Sequence, residues 1–308
     1  MRDASRPRSG RPNPRLTLEP MTQDARQGTP AASPVARSLP WRLEDIPLDE
    51  IDFARIRDRE DMKYLLAAAS FIEIASDVYA GNLAEFFIGE PDIAAWLSQS
   101  WEPEEVQHGR ALRAYVEKVW PDFDWQAAYD SFFVEYSKLC GVDGYESTRG
   151  LEMAARCVVE TGTSTTYRAI RDFADEPVLV RLAEHIRSDE VRHYKHFLKF
   201  FDRYDAREKN GRLRVLRSLK SRLVESAHSD AEIGLWHAYH LCHPDAKRTG
   251  KPFTLMQRRI VRTVRAHYPA GQAIRMLLKP LRLPAFVSSL IRPLLLPVSL
   301  VIRQVILR

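Results

Sequence analysis

Glycine is scarce in this sequence, with 13 in 308 residues, and stretches that alternate apolar and polar side chains are few. Both shortages argue against sheet and favour helices. Cysteine is scarcer still. Cys140, Cys157 and Cys242 form no Cys-x-x-Cys pair and imply no disulfide framework, so a reducing cytoplasm is the expected compartment. The opening stretch MRDASRPRSGRPNPR lacks the apolar segment of a secretory signal. No uninterrupted apolar run reaches the roughly 18 residues of a membrane-spanning helix. A recognisable nucleic-acid motif is missing too, and the basic residues are not interleaved with aromatics, so no nucleic-acid partner is expected.

What is present is the balance of a soluble globular protein, 45% hydrophobic and 28% charged. Residues 1–40, rich in Pro, Ser, Arg and Thr, read as a disordered tail. Residues 41–230 carry the patterns of a helical bundle, and 231–308 a helical extension with an apolar, cationic end. The net charge of +5 is uneven: 41–60 is rather acidic, whereas 207–222 and 247–275 are basic. Such basic runs suit an acidic protein or an anionic membrane, or simply a solvated helix face. The segment LPAFVSSLIRPLLLPVSLVIRQVILR (283–308) is interrupted by Arg292, Pro293 and Pro297. It reads either as a strand of chain packed along the bundle or as a peripheral anchor at a membrane surface.

Four helix candidates carry carboxylates on faces that otherwise bury apolar residues. Over 59–90 a single long helix is expected, with Leu66, Ala69, Ile72, Glu73, Ser76 and Ala80 on one face. A carboxylate turned into a core is costly unless something neutralises it. The stretch SWEPEEVQHGRAL starts a second helix, because Pro103 is tolerated in a first turn. Glu105, His108, Leu112, Tyr115 and Val119 share its inward face. A third helix at 147–174 holds Glu160 just before the hydroxyl-rich TGTSTT, poor helix formers in isolation, so a loop at 161–166 is the alternative. The fourth follows Pro177 and aligns Leu182, Ile186, Glu190, His193 and Phe197.

A lone Glu-x-x-His is expected by chance on the order of once in a chain of this length. Glu225 and His228 illustrate it, a third copy with no inward glutamate on the helix before it. Glu105/His108 and Glu190/His193 differ, because Glu73 precedes one and Glu160 the other. The intervals 73 to 105 and 160 to 190 suit two helices joined by a short connection, and 105 to 160 suits a crossover. Two single glutamates interleaved with two Glu-x-x-His pairs form the di-metal carboxylate pattern. Four carboxylates balance two divalent ions, and each histidine adds a neutral nitrogen ligand. Glu104 and Asp189, each directly before a ligand glutamate, are candidate acceptors for the histidines' second ring nitrogen. The cluster LWHAYHLCHP (235–244) brings His237, His240, Cys242 and His243 close in sequence, but no second ligand pair follows and a helix end is expected.

At these residues the chain resembles the acyl-[acyl-carrier-protein] desaturases of the ferritin-like superfamily. WEPEEVQHG is similar to that family's Trp-x-x-Glu-Glu-x-x-His-Gly block, matching Trp101, Glu104, Glu105, His108 and Gly109. SDEVRH is similar to its Asp-Glu-x-Arg-His block, matching Asp189, Glu190, Arg192 and His193. Thr163, three residues after Glu160, falls where the family places a threonine beside the dioxygen site, and Tyr79 and Leu83 also fit. The resemblance covers about residues 41–205. It implies an all-α fold with a ferritin-like four-helix bundle core and additional helices, usually homodimeric. It implies two iron ions, with a mixed Mn/Fe pair as the alternative, held by Glu73, Glu105, His108, Glu160, Glu190 and His193. It further implies an acyl chain presented by acyl carrier protein, a ferredoxin-type electron donor, and insertion of a double bond with dioxygen. Hydroxylation or N-oxygenation on the same site, or non-catalytic metal binding, are the alternatives. The loop between the first two ligand helices looks shorter than in the plant enzymes, and the region beyond 230 is not matched.

Overall fold

The computed structural model describes residues 39–140, 144–226, 230–287, 290 and 293, and no strand occurs among them. The fold is all-α: α1 (Glu60–Ile74), α2 (Ser76–Phe86), α3 (Pro91–Trp96), α4 (Glu102–Val119), α5 (Trp125–Tyr136), α6 (Arg149–Phe173), α7 (Pro177–Glu208), α8 (Gly211–Ser226), α9 (Asp230–Cys242), α10 (Lys251–His267) and α11 (Ala270–Leu278). Residues 1–38 of the expected tail, His228 and most of 283–308 lie outside the described residues.

The pattern over 59–90 reads as one helix, but the chain breaks at Ala75, whose ψ of 1° leaves the helical region. Two local causes are visible. The Ser76 hydroxyl donates to the Glu73 carbonyl at 2.7 Å, taking an acceptor that would serve the next turn. From outside, α4 crosses the end of α1 at Gly109. A Cβ there would stand 2.5 Å from Ile74 Cγ1 and 2.6 Å from its backbone nitrogen, so only glycine permits this approach. The start of α4 is preceded by a π-helical turn, Leu97–Trp101, which carries the chain directly into Glu102 and Pro103.

α6 runs unbroken through the hydroxyl-rich stretch. Thr161 donates to the Cys157 carbonyl and Thr165 to that of Thr161, each at 2.6 Å, so the side chains bond back to their own helix instead of competing with it. Only three residues separate α6 from α7. The last, Glu176, is fully buried and caps α7 by accepting from the Val178 and Leu179 amides. The Tyr115 hydroxyl of α4 donates to the same carboxylate at 2.7 Å, tying the α6–α7 turn to α4.

Two apolar cores divide the molecule, and their order along each helix gives the topology. α1 carries Leu66 and Phe71 in the first core, and α2 follows with Ala80 and Leu83 in the second. α4 runs oppositely, from Trp101, just before its first residue, in the second to Leu112 and Tyr115 in the first. α6 also starts in the second, at Leu151 and Met153, and ends in the first, at Tyr167 and Ile170. α7 begins with Leu179 and Leu182 and finishes with Phe197 and Phe201. Thus α1 is antiparallel to α4 and α6 to α7, while α4 and α6 are parallel. Parallel neighbours need a crossover, and α5 with the chain up to Arg149 fills it. In all four helices the candidate ligands fall where one core gives way to the other.

Candidate metal centre

At that waist Glu73, Glu105, His108, Glu160, Glu190 and His193 are all buried. They form two overlapping groups, Glu73, Glu105, His108 and Glu190, and Glu105, Glu160, Glu190 and His193, each with ligand atoms within 4.8 Å of one another. Each group can hold a metal ion. Glu105 and Glu190 belong to both. Glu105 presents Oε2 4.0 Å from His108 Nδ1 and Oε1 3.0 Å from His193 Nδ1, while Glu190 presents Oε1 3.2 Å from His108 Nδ1 and Oε2 4.0 Å from His193 Nδ1. Each therefore has one oxygen on either side. Glu73 belongs to the His108 side alone, and Glu160 to the His193 side.

The outer ring nitrogens are fixed by acids from the opposite helix. His108 of α4 meets Asp189 of α7 at 3.1 Å, and His193 of α7 meets Glu104 of α4 at 2.7 Å, both through Nε2. An acid accepting the Nε2 proton leaves the lone pair on Nδ1, aimed at the carboxylates. Arg192 joins the two acids, with one guanidinium nitrogen 2.6 Å from Glu104 and the other 2.8 Å from Asp189. Sequence spacing alone had singled out Glu104 and Asp189, but not this exchange between helices. Further donors complete the surround. The Tyr167 hydroxyl donates to Glu73 at 2.5 Å, Thr163 to Glu190 at 2.6 Å, Trp41 to Asp189 at 2.8 Å and Trp101 to Glu160 at 3.3 Å. Sequence reasoning missed Tyr167, although its place two turns beyond Glu160 on the same face was a signal. Trp41, far off in sequence, gave no signal.

Among the described residues, four buried polar atoms at the centre have no hydrogen-bond partner: His108 Nδ1, His193 Nδ1, Glu160 Oε2 and Glu190 Oε1. Buried polar atoms are nearly always satisfied, and these four belong to the two overlapping groups. Nitrogen and carboxylate oxygens are the donor set of first-row divalent metals, so the residues present fit such ions. Protons otherwise supply the positive charge. Burial, and then the Glu190 charge, raise the carboxyls of Glu73 and Glu105 and push Glu160 up to about 8. Burial also opposes Glu190 ionisation, but His108, 3.2 Å away, and then the charge of His193 outweigh it and hold Glu190 down at about 2. Burial disfavours charge on both histidines, yet their carboxylate neighbours raise them well above the ordinary value.

On one side the centre opens into a cavity of about 690 Å³, reached by Glu73, Glu105, Glu160, Glu190 and Thr163. Its walls are largely apolar, including Leu65, Ile72, Ile170, Val264, Ile274 and Leu277, so α10 and α11 close it from outside. Polar residues interrupt them, Arg156, Arg222, Glu225 and Asp230 among them. Arg156, itself buried, pairs with the buried Glu152 at 2.8 Å and lies 5.6 Å from the Tyr79 ring. The other sequence candidates go elsewhere. Glu225 lies at the cavity's edge, half-exposed, on a different helix from the ligands. The 235–244 histidines part company: His237 bonds Ser131 and Glu135, His240 stacks on Trp236, and His243 meets Tyr64.

Compared with protein-family models the chain matches none, and compared with curated proteins it likewise matches none.

Proposed function

We propose that the protein is a di-iron, dioxygen-dependent oxidase of ferritin-like architecture, acting on an apolar acyl chain in the manner of the acyl-[acyl-carrier-protein] desaturases. The observation that carries this reading is the pair of overlapping Glu/His groups sharing Glu105 and Glu190 and facing a largely apolar cavity of about 690 Å³. The six residues would hold two iron ions, which would supply dioxygen reduction and the oxidising strength to take hydrogen from an unactivated carbon. Desaturation removes two hydrogen atoms, that is two protons and two electrons, from neighbouring carbons. Two further electrons come from a ferredoxin-type donor and two further protons from solvent, and dioxygen leaves as two water molecules.

The protein's own part is positioning. The apolar wall excludes water and holds the chain against Thr163 and Glu190. The Thr163 hydroxyl, at the cavity edge and bonded to Glu190, is placed to pass protons between the cavity and that carboxylate. Tyr167 holds Glu73 in place. Trp41 donates to Asp189, which in turn fixes the ring of His108. A second reading, hydroxylation or N-oxygenation of a substrate with a polar group, is favoured by Arg156 in the cavity wall.

Metal analysis is expected to give about two iron ions per chain. Incubation with reductant, dioxygen and acyl carrier proteins, followed by mass spectrometry, separates the chemistries. A loss of about two mass units marks desaturation and a gain of about sixteen marks oxygenation, following the hydrogen and oxygen balance of each reaction. An unchanged acyl chain across all lengths tried would sink the proposal.

A further inference from the structure

The outward face of α8 is unusual for a soluble helix. Its inner side is conventional, with Val215, Ser218 and Leu219 buried against the bundle. Outward, Leu213 is 71% exposed and Leu216 and Val224 about half, on one stripe at three- to four-residue steps. Around them stand Arg212, Arg214, Arg217 and Lys220, none of which makes an ion pair among the described residues. The contacts of Arg212 and Arg214 are instead with the Arg282 carbonyl and the Ser147 hydroxyl. The first of these places the end of the described chain beside α8. There Arg282 is anchored on Asp202 and Asp205, after which Phe286 and Leu290 emerge 69% and 66% exposed.

Charge narrows what can cover this surface. No Asp or Glu follows Asp245, while residues 246–308 hold thirteen Lys or Arg. The 26 residues 283–308 contain fifteen Val, Ile, Leu or Phe, with arginine as their sole charged type. The terminal segment and the α8 face thus carry the same sign, and so would the same face of a second copy. Neither neutralises the unpaired cations. An acidic protein would, but it leaves protruding leucine and phenylalanine side chains without apolar cover. A bilayer with anionic headgroups satisfies both at once: phosphates meet the arginines while the apolar side chains enter the acyl boundary.

We infer that α8, with the exposed Phe286 and Leu290, forms a docking face for an anionic lipid bilayer, on which the protein lies peripherally. Among the described residues no helix is long and apolar enough to cross a membrane. The same helix reaches the cavity wall through Leu223, so docking brings the cavity to the lipid surface. This inference does not depend on the metal reading.

The test is flotation of the full-length, metal-loaded protein with vesicles of phosphatidylcholine alone or mixed with about one third phosphatidylglycerol. The protein is expected to float with the anionic vesicles, to stay behind with the neutral ones, and to be released by salt. Leu213→Asp combined with Leu216→Asp alters only exposed positions. It is expected to lower the bound fraction about tenfold or more, with circular dichroism and metal content unchanged. Replacing Arg212, Arg214 and Arg217 by Gln is expected to remove the preference for anionic lipid. Equal binding of the leucine variant, equal binding to both vesicle types, or no flotation at all would overturn the inference. So would capture on an immobilised acidic carrier protein that the leucine variant loses, if the wild type does not float.

Discussion

Glu105 and Glu190 each face both histidines, whereas Glu73 and Glu160 each face one. Loss of a shared ligand and loss of a single-sided one therefore have different consequences. Glu105→Ala is expected to empty both positions, while Glu73→Ala leaves the His193 side able to retain one ion. Plasma-emission counting of metal per chain separates these outcomes, and equal loss in the two variants would contradict the assignment of the shared ligands. The six residues were legible in sequence because each falls on an apolar helical face, where an unpaired carboxylate is hard to explain otherwise. Which of them are shared was not legible, since that depends on how far each helix is rotated about its axis. The exchange of Glu104 and Asp189 between helices was hidden for the same reason. Arg192 looked like part of a motif, and its bond to both acids emerges only when α4 and α7 lie side by side.

Among the elements, α1 and α4 approach most closely at Gly109. Gly109→Ala forces a methyl group against the Ile74 backbone, which cannot rotate away as a side chain would. An increase in packing of this kind costs about 1–3 kcal/mol. Chemical denaturation should show that loss, and an unchanged midpoint would mean that the helices separate without strain. Gly162 on α6 is the opposite case. It lines the cavity, and an added Cβ would meet nothing within 4 Å. Gly162→Leu should leave the melting temperature equal or higher, because glycine is about 1 kcal/mol worse than alanine within a helix. It should also shorten the longest chain the protein accepts, as read from an acyl-length series. The two glycines look alike in sequence, since helix–helix distance and cavity shape are tertiary facts. The break at Ala75 was missed on the same account, whereas the unbroken α6 follows from hydroxyl back-bonding that a sequence pattern only hints at.

Across the whole molecule, the buried acids make stability depend on pH when metal is withheld. Glu160 is raised from 4.5 to about 8, and His108 and His193 are raised above 6.5. Each of these groups holds its proton more tightly folded than unfolded. Folding stability therefore falls as pH climbs, from about 4.5 through about 8 for Glu160 and above about 6.5 for the histidines. Bound metal replaces those protons and flattens the slope. Thermal unfolding of chelator-treated and metal-loaded protein over this range checks the sign, and a chelated form that gains stability toward alkaline pH would count against the site. The all-helical class and the crossover between the second and third ligand helices were readable from composition and spacing. The closing of the cavity by α10 and α11 was not, because the residues beyond 230 carry no pattern that names their neighbour.

The division of four helices into two apolar halves has a mechanical consequence. Above and below the waist the molecule is held mainly by hydrophobic contact, and at the waist by charged groups and the hydrogen bonds around them. The centre is thus a rivet through two lobes. With metal withheld, only protons neutralise the crowded carboxyls there, so the four helices are expected to part from one another first at the waist.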